Sequence, residues 1–234
     1  MAGQFKRQEL ECIVKRMEWQ ILKNFRVFAL IVIWVAGAML ASWGCDSEPK
    51  PANPEEASYF QEVHRYREQR DRFFQTSPNT PLLKGDQENF DGLHYFPIKP
   101  AMRFALTLHK YGTPDTLYIM TTGGKDRPAL RYGYFEFEAQ QRQNRLQVYK
   151  FLDHEDPNDP YLFLPFLDQT SGEHSYGGGR YLDLRETVSD EYTVDFNYAY
   201  NPSCAYGRKD YICPVPPSEN TLQIEIPAGE KAWH

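Results

Sequence analysis

The chain has 234 residues, 41% of them hydrophobic and 15% aromatic, with a formal net charge of −6. Residues 1–44 carry six Lys/Arg against three Asp/Glu, a net of +3, which leaves −9 on residues 45–234. So acidic a body argues against nucleic acid as a partner and against surface binding to anionic lipid, and about 190 residues suffice for one domain with a substantial core.

In chain order, the first element is an apolar run, Val27 to Trp43 (VFALIVIWVAGAMLASW). Lys15, Arg16, Lys23 and Arg26 precede it, and Asp46, Glu48, Glu55 and Glu56 follow. This polarity predicts an N-terminus held inside and an exported body. Its 17 residues sit at the short end of what spans a bilayer. The run closes on LASWGC, which resembles the lipobox of bacterial lipoproteins, with Gly44 before an acylated Cys45. Ser42 and Trp43 depart from that pattern, so an uncleaved signal anchor stands as the alternative. Both readings place the rest of the chain outside the cytoplasmic membrane, in the cell envelope. The domain reading is a signal peptide or membrane anchor over 1–44, a tether over 45–53, and one β-rich domain over 54–234.

Asn53-Pro54-Glu55-Glu56 starts a helix, with Asn as cap, Pro at the first position and acid in the first turn. Tyr59, Phe60, Val63, Tyr66, Phe73 and Phe74 recur at helical spacing and predict an amphipathic helix over 54–75, packed on the domain that follows. After Pro78 and Pro81 the period becomes two. Strands are predicted at 93–98, 104–111, 116–122, 130–137, 145–151, 161–166, 180–184, 192–196 and 222–226, with turn signals at Gly112, Gly123 and Asn144. Short strands without intervening helices predict a mainly β fold, a compact antiparallel barrel or sandwich.

Chemistry-bearing residues concentrate between Phe163 and Asn220. Asp168-Gln169-Thr170-Ser171-Gly172 is followed by Tyr176, three glycines and Arg180. Glycines let backbone approach a ligand or another strand, and Arg180 beside exposed N–H groups could hold an anion. A glycine turn in which Arg180 pairs with Asp168 or Asp183 explains the same residues. No Gly-Lys-Ser/Thr follows, so this is not a phosphate-binding P-loop. Asp195, Asn197, Tyr200, Asn201 and Cys204 crowd a second loop. Cys204 and Cys213 read first as a disulfide outside the cytoplasm. A nucleophilic Cys204 with Asp195 or another Asp as base is the enzymatic alternative. His174, next to Glu173, reads as a surface or structural histidine. The acidic run from Asp153 to Asp159 matches no calcium loop, and no metal ligand set or cofactor motif emerges.

These blocks together resemble the bacterial and archaeal domain-of-unknown-function family 1684. The resemblance rests on LFLPFLDQTSGEHSYGGGRYLDL, DFNYAYNPSCAY and CPVPPSENTLQIEIPAGEK, with FDGLHYFP upstream after a helix bearing YREQRD and SPNTPL. Glu173, His174 and Ser175 stand where the family carries Lys, Glu and Thr. The resemblance implies a shared site or scaffold and brings no activity with it. The leading expectation is a membrane-anchored lipoprotein binding a small polar or anionic ligand through Asp168, Thr170, Ser171, Tyr176, Arg180, Asp195, Asn197, Tyr200 and Asn201. The alternatives are a hydrolase-like or metal-dependent enzyme using Cys204, and a structural or partner-binding lipoprotein without an active site.

Overall fold

The computed structural model describes residues 48–153, 156 and 159–234. The apolar run, Cys45 and most of the acidic 153–159 stretch lie outside the described residues. Among those described, no helix is long and apolar enough to cross a membrane.

Helix α1 spans Pro54–Thr76. Asn53 Oδ1 accepts the Glu56 amide at 2.9 Å, and Glu55 and Glu56 occupy the positive end of the helix dipole. The helix stops at Ser77, whose extended backbone suits a residue before Pro78. Tyr59, Phe60, Val63 and Phe74 are buried as the spacing predicts. Phe73 instead is 47% exposed, and Arg67 takes a place in the buried stripe. Its guanidinium lies 4.6 Å above the Tyr95 ring, and Nη2 donates to the Phe96 carbonyl at 3.0 Å. Glu48 completes this edge by accepting the Ile98 amide at 3.1 Å and pairing with His64 at 2.9 Å. A short helix α2, Lys84–Glu88, follows.

The rest is antiparallel sheet. Strands β1 (Arg103–Thr107) and β8 (Glu191–Asp195) form a two-stranded ribbon. A six-stranded sheet contains β2 (His109–Lys110), β3 (Thr116–Ile119), β4 (Arg127–Ala139), β5 (Arg142–Phe151), β6 (Tyr161–Phe166) and β7 (Arg180–Arg185). Its order is β2-β4-β5-β6-β7, with β3 also on β4. Phe104 and Leu106 from β1 and Tyr192 and Val194 from β8 share one core with Phe135, Leu146, Val148, Leu162, Leu164 and Phe166 from the sheet. The ribbon therefore lies across the large sheet, and the architecture is open. The barrel alternative is corrected on this point, because β7 and the β2/β3 edge do not pair with each other.

Other departures have local causes. The β4–β5 turn falls at Gln140-Gln141, both with positive φ (51° and 60°), rather than at Asn144, which sits in β5. Residues 93–98 are not a strand; their backbone pairs with the C-terminal segment through one bridge, Tyr95 to Glu230. Residues 222–226 keep the predicted alternation, since Leu222, Ile224 and Ile226 are buried. No strand forms there, because the hydrogen bonds come from the 167–169 loop and from side chains.

Candidate functional site

Asp168, Thr170, Ser171 and Arg180 assemble into one buried knot. The β6–β7 loop returns on itself through Ser171, Ser175 and Thr170, which brings Asp168 opposite Arg180 at the start of β7. Arg180 is 0% exposed. Its Nη2 donates to Asp168 Oδ1 at 3.0 Å and to the Ile226 carbonyl at 2.7 Å, and Nη1 donates to the Ala228 carbonyl. Asp168 Oδ2 accepts the Ile226 amide at 2.7 Å and Thr170 Oγ1 at 2.8 Å. The guanidinium lies 5.1 Å from the Phe166 ring. Burial pushes the Arg180 guanidinium below its ordinary value, and the Asp168 carboxylate pulls it back. The knot thus binds the protein's own C-terminal segment, taking the role that a sheet ladder would have. The glycines beside it serve close approach. Gly179 has φ +86°, and a Cβ there would sit 2.7 Å from the Phe166 carbonyl oxygen. Tyr176 folds over Gly178.

Asn201 belongs to a second network built on Glu230, a carboxylate 1% exposed. Asn201 donates through its amide at 3.2 Å and through Nδ2 at 3.1 Å. Arg70 of α1 donates at 3.0 Å, and the Tyr206 hydroxyl donates as well. Burial pushes the Glu230 carboxyl up, against the pull of Arg70, Tyr206 and Asn201. Tyr200 lies apart from this carboxylate: its hydroxyl donates to Asp183 Oδ1 at 2.7 Å, as does that of Tyr161 at 2.8 Å. Asn220 is a third brace. It accepts the Gln147 amide at 2.8 Å and donates to the carbonyls of Gln147 and Pro165.

Asp195 and Asn197 are buried too, but they stand behind Tyr59, which lines a solvent-accessible cleft. Asp195 ends β8 and caps the following turn by accepting the Asn197 amide at 2.9 Å. Its Oδ2 accepts the Tyr59 hydroxyl at 2.8 Å, and Asn197 Nδ2 donates to the same hydroxyl oxygen at 2.8 Å. Burial first, then the Asp195 charge, pushes the Tyr59 phenol up, so it remains a donor. In front of Tyr59 opens a cleft of about 320 Å³ lined by Asn53, Glu55, Glu56, Tyr59, Pro100 and Arg103. The Arg103 side chain is 46% exposed, lies 4.8 Å from the Tyr59 ring and comes no closer than 3.9 Å to Asp195.

Cys204 and Cys213 are joined in a disulfide with a Cα–Cα distance of 6.2 Å, so neither presents a thiolate. Thr122 packs on the pair, its Oγ1 3.4 Å from Cys204 Sγ and accepting the Cys213 amide at 3.0 Å. His174 is an exposed turn residue whose carbonyl accepts the Ala232 amide at 3.0 Å. No group of three potential metal ligands occurs among the described residues. The knot and the Glu230 network adjoin, since Arg180 Nη1 also donates to the Glu230 carbonyl at 3.4 Å, while the cleft is lined by other residues. The nine residues expected to line one site are divided among these groups and the Asp183 pair, with Tyr176 over Gly178. Sequence reasoning missed Tyr59, Arg103, Arg70 and Glu230. Arg67, Arg70 and Asp71 had a signal in YREQRD, and all three meet the body of the domain, Asp71 by accepting the Leu93 amide at 3.0 Å.

The features above define a class, a small antiparallel β domain closed by an N-terminal helix and braced by buried polar side chains. The model of the protein family of unknown function DUF1684 matches residues 88–231, and the chain belongs to that family. A solution NMR structure of an uncharacterized protein from Haloarcula marismortui is similar over 76% of this chain and 96% of that one, with 32% identity and a TM-score of 0.58. No curated protein matches the sequence.

Proposed function

We propose that the protein is a membrane-anchored lipoprotein of the cell envelope whose β domain binds a small polar ligand in the Tyr59–Arg103 cleft. Cys45 would carry the lipid and the 27–43 run would provide the export signal. The observation that carries the ligand reading is the open guanidinium of Arg103, held against Tyr59 and left without a hydrogen bond among the described residues. The cleft volume of about 320 Å³ lies at the low end of small-molecule sites. Asp195 and Asn197 act from behind, as positioning residues that fix the Tyr59 ring. Asp168, Thr170, Ser171, Arg180 and Asn201 support the fold on which the cleft stands. Shift mapping by NMR with a panel of small polar metabolites tests this. A binder should perturb the amides of Asn53, Tyr59 and Arg103, and Arg103→Ala should abolish the response. A panel that never perturbs them, with the fold intact, would remove the reading.

A second reading, a structural or partner-binding lipoprotein, is favoured by the burial of Arg180 and Asn201. The two readings part at Arg103, which a purely structural domain can lose without consequence.

A further inference from the structure

We infer that the cleft takes a zwitterion of amino-acid size, its acid group on Arg103 and its ammonium group on Glu55 and Glu56. The inference rests on the cleft being the ligand site and narrows what that site binds. The lining sets two carboxylates against one guanidinium, and Asp195 stands as a third carboxylate 3.9 Å behind the guanidinium. A ligand that is only an anion would meet more negative than positive charge. A ligand that is only a cation would face Arg103. A molecule carrying both charges satisfies both kinds of lining group.

The charged groups are available. Arg103 Nε is beyond hydrogen-bond distance of Asp195, whose oxygens are taken up by Tyr59 and Asn197. The guanidinium carbon lies over the Tyr59 ring at 4.8 Å, and a guanidinium fork matches a carboxylate in two parallel bonds. The Glu55 side chain makes no hydrogen bond or ion pair among the described residues, while the Glu56 carboxylate accepts the Ala52 amide. The end of α1 does not itself supply the anion site. Pro54 has no N–H, Asn53 already accepts the Glu56 amide, and both glutamates repel a second anion there. Tyr59 and Pro100 add apolar surface to the same lining for the body of the ligand.

The test uses the full chain and three chemical forms of one probe. The common amino acids are screened by thermal shift. Any that binds is compared by calorimetry with its N-acetyl form, which lacks the ammonium, and its amide, which lacks the carboxylate. The zwitterion should bind roughly tenfold or more tightly than either blocked form. Glu55→Gln with Glu56→Gln should weaken the zwitterion by a similar factor and leave the N-acetyl form unweakened. Arg103→Gln should weaken the zwitterion and spare the amide. An N-acetyl form that binds as tightly as the free amino acid, in a manner still lost with Arg103→Gln, overturns the zwitterion and leaves the cleft as a site for anions. If no amino acid or blocked form binds the folded chain, the inference fails; if the metabolite panel also leaves the cleft amides unperturbed, the cleft reading fails with it.

Discussion

The Asp168–Arg180 knot and the Tyr59–Arg103 cleft contain the same chemistry, an arginine, a carboxylate and an aromatic ring. In the knot the guanidinium is fully enclosed and donates to Asp168 and to backbone carbonyls at 226 and 228. In the cleft it is half exposed and 3.9 Å from its carboxylate. A buried charge needs an opposite charge beside it, because losing that partner leaves an uncompensated ion in a low dielectric. A half-exposed charge stays solvated and remains free to meet something else. Residue type alone therefore says little about role here; enclosure separates a brace from a candidate contact.

The sharpest way to break this comparison is Asp168→Ala. It strands Arg180 and removes the acceptor for the Ile226 amide and Thr170 hydroxyl. A loss of about 3–5 kcal/mol in unfolding free energy is expected, read from urea titration of the folded domain. Replacing both Cys204 and Cys213 by Ser should cost roughly 2–3 kcal/mol in the loop-entropy account. Reductant should lower the melting temperature of the parent protein toward that of the variant and leave the variant unmoved. Gly229→Ala forces a left-handed backbone, φ +74°, and puts a Cβ 2.5 Å from the Ala199 carbonyl oxygen. The backbone alone costs roughly 1–2 kcal/mol, the overlap adds to it, and calorimetric melting measures the sum.

The smallest effect concerns pH. Because burial raises the folded-state value of Glu230, the native protein holds that proton more tightly than the unfolded chain. The stability this contributes is present below the ordinary glutamate value and is lost as pH rises through the raised one. Glu230→Gln should flatten that fall in urea midpoints measured across the acid range. Glu186 has the opposite sign. Burial pushes it up, but Lys150 and Tyr132 outweigh that and hold it below its ordinary value. Its contribution is present at neutral pH and disappears as pH falls through the depressed value.

Much of the fold was legible in the sequence. The Asn53 cap, the Tyr59–Val63 stripe and strand β6 follow from local pattern, because capping and alternation act within a few residues. What was not legible depended on distant partners. Residues 222–226 alternate like a strand, yet their hydrogen bonds come from residues 167–169 and from the Asp168 side chain. Gln140 and Gln141 adopt positive φ where Asn or Gly would be expected, imposed by the long β4–β5 pairing on either side. Of the site, the loops crowded with polar residues were visible, but which of those residues face solvent was not. Asp195 reaches a cleft only through Tyr59, a helix residue 136 positions away, and no spacing rule links the two.

The most direct measurement places Arg180→Met beside Arg103→Met in the same urea titration. Arg180→Met should lose several kcal/mol, about the cost of stranding a buried carboxylate, whereas Arg103→Met should stay within about 0.5 kcal/mol of the parent and lose its response to ligand. Equal losses, or a larger loss at Arg103, would contradict the division between brace and site.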